Sequence, residues 1–296
     1  MPRIDSTIDF DAKSPPFDQI RGIHRLAQDR RGHVSVETAR HHLYVGNDKR
    51  SNTSVLIKLT SKPGLIYQEN LKNEIASLLT VNELLPESRY FPVIRDHGQL
   101  RDGRVYIIES FFVELPLATA IDTEPIPGKT VAYIRTAMET AKPLGELHSL
   151  KIYHVDLNPM NILMQLEHSR PIIRIIDFES SYERRRHSTG AFYNPPNTPG
   201  YSAPEISSQA PDARSDVFSL GAVLYTMLAG YEWTWKADVG QCAQADKHID
   251  PDLKLIVLRA VDPSPDDRYP SMEAFHSDLA EHLDMIWPGI NVLGSF

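Results

Sequence analysis

Asp156 and Asn161 lie five residues apart in His154-Val155-Asp156-Leu157-Asn158-Pro159-Met160-Asn161, with Pro159 between them. A loop with that spacing can aim a carboxylate and an amide into one site. Asp156 is suited to accept a proton from a hydroxyl, and Asn161 to offer its side-chain oxygen to a hard cation. An Asp and an Asn in an ordinary turn are the plainer alternative. Two apolar runs follow, Ile162-Leu163-Met164 and Ile172-Ile173-Arg174-Ile175-Ile176, and the second ends in Asp177-Phe178. A carboxylate at the end of a buried strand suits a second oxygen ligand for Mg²⁺, an ion that neutralises charge on transferring phosphates. The chemistry these residues point to is phosphoryl transfer.

The elements that must carry them change character along the chain. Residues 1–28, with Ser14-Pro15-Pro16, read as an extension or loosely packed leader. Strands are expected at His33–Val36, His42–Val45 and Val55–Leu59, with a Gly46-Asn47-Asp48 turn and a stop at Pro63-Gly64. Asn70 to Leu85 has helical spacing, with Leu71, Ile75, Leu78 and Leu79 on one stripe. Two more strands are expected at Phe91–Ile94 and Val105–Ile108, with Asp102-Gly103 as a turn. After Pro116 the pattern turns helical, at Thr130–Leu150, Val217–Leu228, Leu253–Val261 and Met272–Leu283. Pro143 inside the first of these predicts a kink or a boundary. The expected fold class is α+β: a strand-rich lobe with one main helix over 29–115, then a mainly helical lobe over 116–296. A cleft between two lobes is the default place for a ligand.

Composition narrows the classes. The chain has 296 residues, 41% hydrophobic and 24% charged, the balance of a globular protein. A net charge of −8 argues against a nucleic-acid-binding surface. The single cysteine, Cys242, excludes an internal disulfide and a Cys-rich metal site, and suits a reducing, cytoplasmic setting. No run of apolar residues is long enough for a membrane span, and the acidic N-terminus does not read as a signal peptide. The 12 histidines show no metal-ligand spacing and read as surface or structural.

Five motifs in order give the chain its resemblance to the eukaryotic-like Ser/Thr protein kinase family. The loop His154…Asp156…Asn161 is similar to the family's catalytic loop, and Asp177-Phe178-Glu179 resembles its metal-binding Asp-Phe-Gly. Ala203-Pro204-Glu205 looks like the end of the activation segment, and Asp216 to Gly221 like the start of the large lobe's central helix. Arg268 matches the Arg that pairs with that Glu, here Glu205. The resemblance covers about Gly32 to Leu283 and implies a bilobal kinase-like fold. It implies ATP and Mg²⁺, with Mn²⁺ as an alternative, and a protein substrate or regulated partner protein. It implies metal binding by Asn161 and Asp177 and hydroxyl orientation by Asp156 with Thr198 in support. Lys58, in Val55-Leu56-Ile57-Lys58, is similar to the nucleotide-contacting Lys. Glu74 is placed ahead of Glu69 as its helix partner by helix facing. Ile107 to Phe111 resembles the hinge, where the backbone of Glu109 and Phe111 would bind the adenine edge with Ile108 behind it. Val36, Thr38 and His41 stand where the phosphate-covering glycines belong.

The departures are informative too. The missing glycines imply weaker nucleotide binding or a different loop path. Val155 replaces the Arg that holds a phosphorylated activation segment, which argues against phosphorylation there as the on-switch. Asn158 stands in the catalytic loop where the family has Lys, and Glu179 replaces Gly beside the metal-binding Asp177. Glu183-Arg184-Arg185-Arg186-His187 reads equally as a solvated loop or as a docking surface for an acidic substrate or for phosphate. Three functions therefore stand open: an active Ser/Thr kinase, a pseudokinase scaffold, and a small-molecule kinase.

Overall fold

The computed structural model describes residues 8–26, 40–121, 128–168, 170–230 and 238–288. The chain divides into two compact units, Met1–Glu114 with Ile176–Glu179, and Leu115–Ile175 with Ser180–Phe296. The first is strand-rich with one long helix and the second mainly helical, the expected α+β class.

The first unit contains β1 (Ile20–Arg25), β2 (His41–Asp48), β3 (Ser54–Thr60), α1 (Leu65–Leu84), β4 (Ile94–Gln99) and β5 (Val105–Ser110). Its strands form one antiparallel sheet in the order β1-β2-β3-β5-β4. Alternation along β3 divides its side chains between two faces. Val55, Ile57 and Leu59 join Tyr44, Tyr106 and Ile108 in an apolar cluster. Lys58 lies on the other face, opposite Ile107 of β5.

That apolar cluster corrects the reading of residues 1–28 as a loose leader. Phe17 and Ile20 are buried within it and Phe10 packs against it. The Phe10 ring lies 4.4 Å from Phe17 and 5.1 Å from Tyr44. These side chains cover one face of the sheet, and β1 extends it. Gly46 is required for that pairing, since a Cβ there would stand 2.5 Å from Ile20 Cγ2. The strand expected at His33–Val36 lies outside the described residues. The strand expected at Phe91–Ile94 starts at Ile94 instead, because Asn82 of α1 takes over the backbone there. Its amide donates to the Pro92 carbonyl at 2.9 Å and accepts from Ile94 N–H at 2.8 Å. Leu71, Ile75 and Leu78 of α1 are buried, but Leu79 is 42% exposed and does not share their stripe.

The second unit contains β6 (Leu115–Pro116), α2 (Thr130–Ser149), β7 (Ile152–Tyr153), β8 (Ile162–Glu167), β9 (Arg170–Ile175), β10 (Tyr182–Glu183) and α3 (Arg184–His187). Helices α4 (Ala213–Ala229), α5 (Val239–Ala245), α6 (Pro251–Ala260) and α7 (Met272–Ile286) follow. β8 pairs with β6 and β9, and β7 with β10. Every residue of α4 from Ser215 to Ala229 is buried, which explains why its sequence is apolar all round. Asp212 caps its start by accepting from Arg214 N–H, and Gly230 at φ 73° ends it. The boundary expected at Pro143 does not occur: α2 runs through it. Burial of Ile134, Met138, Ala141 and Leu144 holds the helix across the one missing N–H. Among the described residues no helix is long and apolar enough to cross a membrane.

Candidate active site

In the first unit the site is built around Lys58. Its place on β3 turns it away from the apolar cluster and toward α1 and the segment after β9. Lys58 Nζ lies 2.7 Å from Glu74 Oε2, 3.1 Å from Glu179 Oε1 and 3.3 Å from Asp177 Oδ1. Glu74 is therefore its helix partner. Glu69 instead pairs with Lys72 at 2.8 Å on the surface. Burial disfavours the ammonium, but Asp177, Glu74 and Glu179 together hold its pKa well above the usual lysine range. Burial pushes the carboxyls of Glu74 and Glu179 upward, against the pull of Lys58. Oxygens of Glu74, Asp177 and Glu179 lie within 4.8 Å of one another, a spacing that could hold a cation. The cation in their midst is the Lys58 ammonium.

The Asp177 segment is fixed from both sides. Phe178 is fully buried, edge-on to Phe91 with ring centroids 5.9 Å apart. Asn73 of α1 donates to the Glu179 carbonyl at 3.0 Å. Asp177 itself is left-handed, φ 70°, which an Asp tolerates better than most residues. It keeps a partly exposed carboxylate, so it has an oxygen to offer a metal ion.

Three hinge and loop expectations are corrected or fall outside. Ile108 belongs to the apolar cluster on the far face of the sheet, so it is not behind an adenine on the Lys58 face. Pairing with Lys58 and Leu56 places Ile107 and Glu109 there instead. Phe111 N–H donates to the Ser54 carbonyl at 3.1 Å, so it is not available to an adenine edge. Val36 lies outside the described residues.

In the second unit the loop after β7 is held by backbone hydrogen bonds. Val155 is a buried valine at φ 68°, a strained conformation for a β-branched residue. Asp216 of α4, fully buried, compensates. Its Oδ1 accepts from Val155 N–H at 2.7 Å and its Oδ2 from His154 N–H at 2.9 Å. His148 Nε2 lies 2.8 Å from the same Oδ2. The Asp156 carbonyl accepts from the amides of Asn158 at 3.0 Å and Asn161 at 2.9 Å. Asn161 Oδ1 is then the atom turned to other partners, and an amide oxygen suits a hard cation. Asn158 is different. Its Oδ1 also accepts from Met160 N–H at 2.9 Å, so both ends of its amide hold the loop. It is a positioning residue here and not a stand-in for the family's lysine. Thr198 Oγ1 donates to Asp156 Oδ1 at 2.5 Å.

A buried ion pair ties the segment bearing Thr198 to the helices. Arg268 makes two hydrogen bonds to Glu205, each 2.9 Å, and Ser215 adds one at 2.8 Å. Burial opposes ionisation of Glu205, but the Arg268 and Ser215 bonds outweigh it and hold its pKa below the usual range. In the arginine run, Arg184 and Arg185 are exposed and Arg186 turns to Glu183 at 3.1 Å.

Sequence reasoning missed two partners. His41 reads from sequence as a missing glycine and as a surface or structural histidine, yet its Nδ1 lies 3.0 Å from Glu179 Oε1. Asp216 was read as a helix-start motif, yet it organises the catalytic loop. The one signal available was an acid at the start of an otherwise apolar helix, where a buried carboxylate must find donors.

A lysine–glutamate pair on a strand and helix, and a carboxylate loop braced by a buried acid, are features of the protein kinase class of fold. The chain belongs to the protein kinase family: the protein kinase domain model matches residues 42–283. It is 29% identical over 265 residues to the serine/threonine-protein kinase Pkn1 of Myxococcus xanthus, covering 81% of this chain and 37% of that protein. It is 25% identical over 208 residues to pkn3 of the same organism, covering 63% and 38%. The chain thus spans little more than a third of these relatives. The kinase domain of PknI from Mycobacterium tuberculosis matches its fold with a TM-score of 0.62 at 18% identity, covering 89% of this chain and 96% of that one.

Proposed function

We propose that this chain transfers the γ-phosphate of ATP to Ser or Thr hydroxyls of a protein substrate. The observation that carries the proposal is the Thr198 hydroxyl bound to Asp156 Oδ1. It fixes the orientation of the carboxylate that would orient a substrate hydroxyl and accept its proton. Lys58, supported by Glu74, would neutralise nucleotide phosphate. Asn161 and Asp177 each carry a side-chain oxygen that fits a hard cation such as Mg²⁺ or Mn²⁺. The metal, when bound, neutralises charge on the phosphates. Glu109 is paired in β5 with Leu56 of β3 and Ile94 of β4, so its backbone, like that of Phe111, is taken up by the sheet. With one cysteine, half-buried and unpaired, a reducing cytoplasmic setting suits the chain. Transfer of radiolabelled phosphate from ATP to protein substrates tests the reading. Transfer that survives in both Asp156→Ala and Lys58→Met would sink it.

A further inference from the structure

Two departures from the family pattern meet at one atom. His41 replaces a glycine of the phosphate-covering loop, and Glu179 replaces the glycine after Asp177-Phe178. Glu179 Oε1 lies 3.0 Å from His41 Nδ1 and 3.1 Å from Lys58 Nζ. Both side chains are buried, His41 at 9% exposure and Glu179 at 10%. Burial and the nearby Lys58 keep His41 neutral, its pKa lowered to about 3. The contact is therefore a hydrogen bond from the neutral ring's Nδ1–H to the carboxylate. Asn73 fixes the Glu179 backbone from which that carboxylate reaches.

An ammonium has three N–H donors. Glu74, Glu179 and Asp177 supply a carboxylate to each of those on Lys58. Glu74 is held twice, since its other oxygen accepts from Phe178 N–H at 3.4 Å. Asp177 has the longest and most exposed of the three contacts and can turn to a metal. Glu179 stays. A phosphate oxygen joining Lys58 would then share the ammonium with a buried carboxylate, and like charges so placed repel.

We propose that Glu179, steadied by His41, is a built-in competitor for nucleotide phosphate: its carboxylate occupies Lys58 in the resting chain, and ATP binds against its charge. The proposal rests on the nucleotide-binding role given to Lys58 above. Calorimetric titration with MgATP of the full chain and its Glu179→Gln, His41→Ala, double and Lys58→Met variants tests it. Glu179→Gln keeps the shape and removes the charge, and should bind MgATP roughly tenfold tighter or more. His41→Ala should tighten binding by a smaller factor. The double variant should bind no tighter than Glu179→Gln alone, because His41 acts through Glu179. Equal or weaker binding by Glu179→Gln overturns the proposal. Should that variant fail to fold, His41→Ala decides, tighter binding supporting and unchanged or weaker binding overturning. Loss of binding in Lys58→Met with no gain in Glu179→Gln sinks the competitor alone. MgATP binding untouched by Lys58→Met sinks the nucleotide reading beneath it.

Discussion

Lys58 and Asp156 are held in place by opposite means. Around Lys58 there is an excess of charge: three carboxylates face one ammonium. Around Asp156 the holding is done by hydrogen bonds from backbone N–H groups, amides and a hydroxyl. The first arrangement can be rebalanced by any ion that enters it. The second has its donors already matched to acceptors and fixes one geometry. Under the proposed function, the Lys58 side is thus the place for regulation and the Asp156 side the place for precision.

Substitutions can break that contrast. The largest effect is expected at Asp156. Asp156→Ala should reduce phosphate transfer by about 10²–10⁴-fold, the usual contribution of a positioned acid–base group. Calorimetry should find its MgATP affinity unchanged, and a matching loss of affinity would erase the distinction drawn here. Next comes the buried pair that braces the same unit. Arg268→Ala leaves the Glu205 carboxylate buried without its cation and should destabilise the chain by about 3–5 kcal/mol in urea unfolding.

A smaller effect is expected from pH, and it belongs to the Lys58 side. His41 is held neutral by burial and by Lys58, with its pKa lowered to about 3. Between pH 6.5 and that value the unfolded chain binds a proton that the folded chain refuses. Its contribution to stability is present above pH 6.5 and is lost as pH falls, by about 1.4 kcal/mol per unit. Unfolding curves for the unsubstituted chain and His41→Asn should diverge in slope over that range, and parallel curves would show that His41 is not held neutral. Asn158→Ala is the gentlest test. Losing its two loop hydrogen bonds should lower stability by about 1–2 kcal/mol and reduce transfer only modestly. A loss as large as that of Asp156→Ala would make Asn158 a participant in the chemistry.

Much of the second unit was legible in the sequence. Its motifs are short and local, and the 3.6-residue rhythm of α2, α6 and α7 comes through because each buries one face. The first unit was harder. β1 hid inside a stretch with Pro15 and Pro16 that looked like a leader, since only contact with Tyr44 and Tyr106 gives Phe10 and Phe17 a reason to be apolar. The start of β4 depended on Asn82, ten or more residues away along the chain. Ile108 was assigned to the wrong face because alternation gives two faces and does not say which is which.

By itself the sequence determined which residues can do chemistry. Asp156, Asn161, Asp177 and Lys58 have side chains suited to phosphoryl transfer wherever they sit, and the order of motifs named the fold. Tertiary structure alone decided who their partners are. It chose Glu74 over Glu69, gave Asn158 to its own loop, closed the Phe111 N–H and joined His41 to Glu179 on Lys58. Residue type fixes what a group can donate, accept or ionise. Only the folded chain fixes distance and burial, which decide whether those capacities are met by a neighbour or left for a substrate.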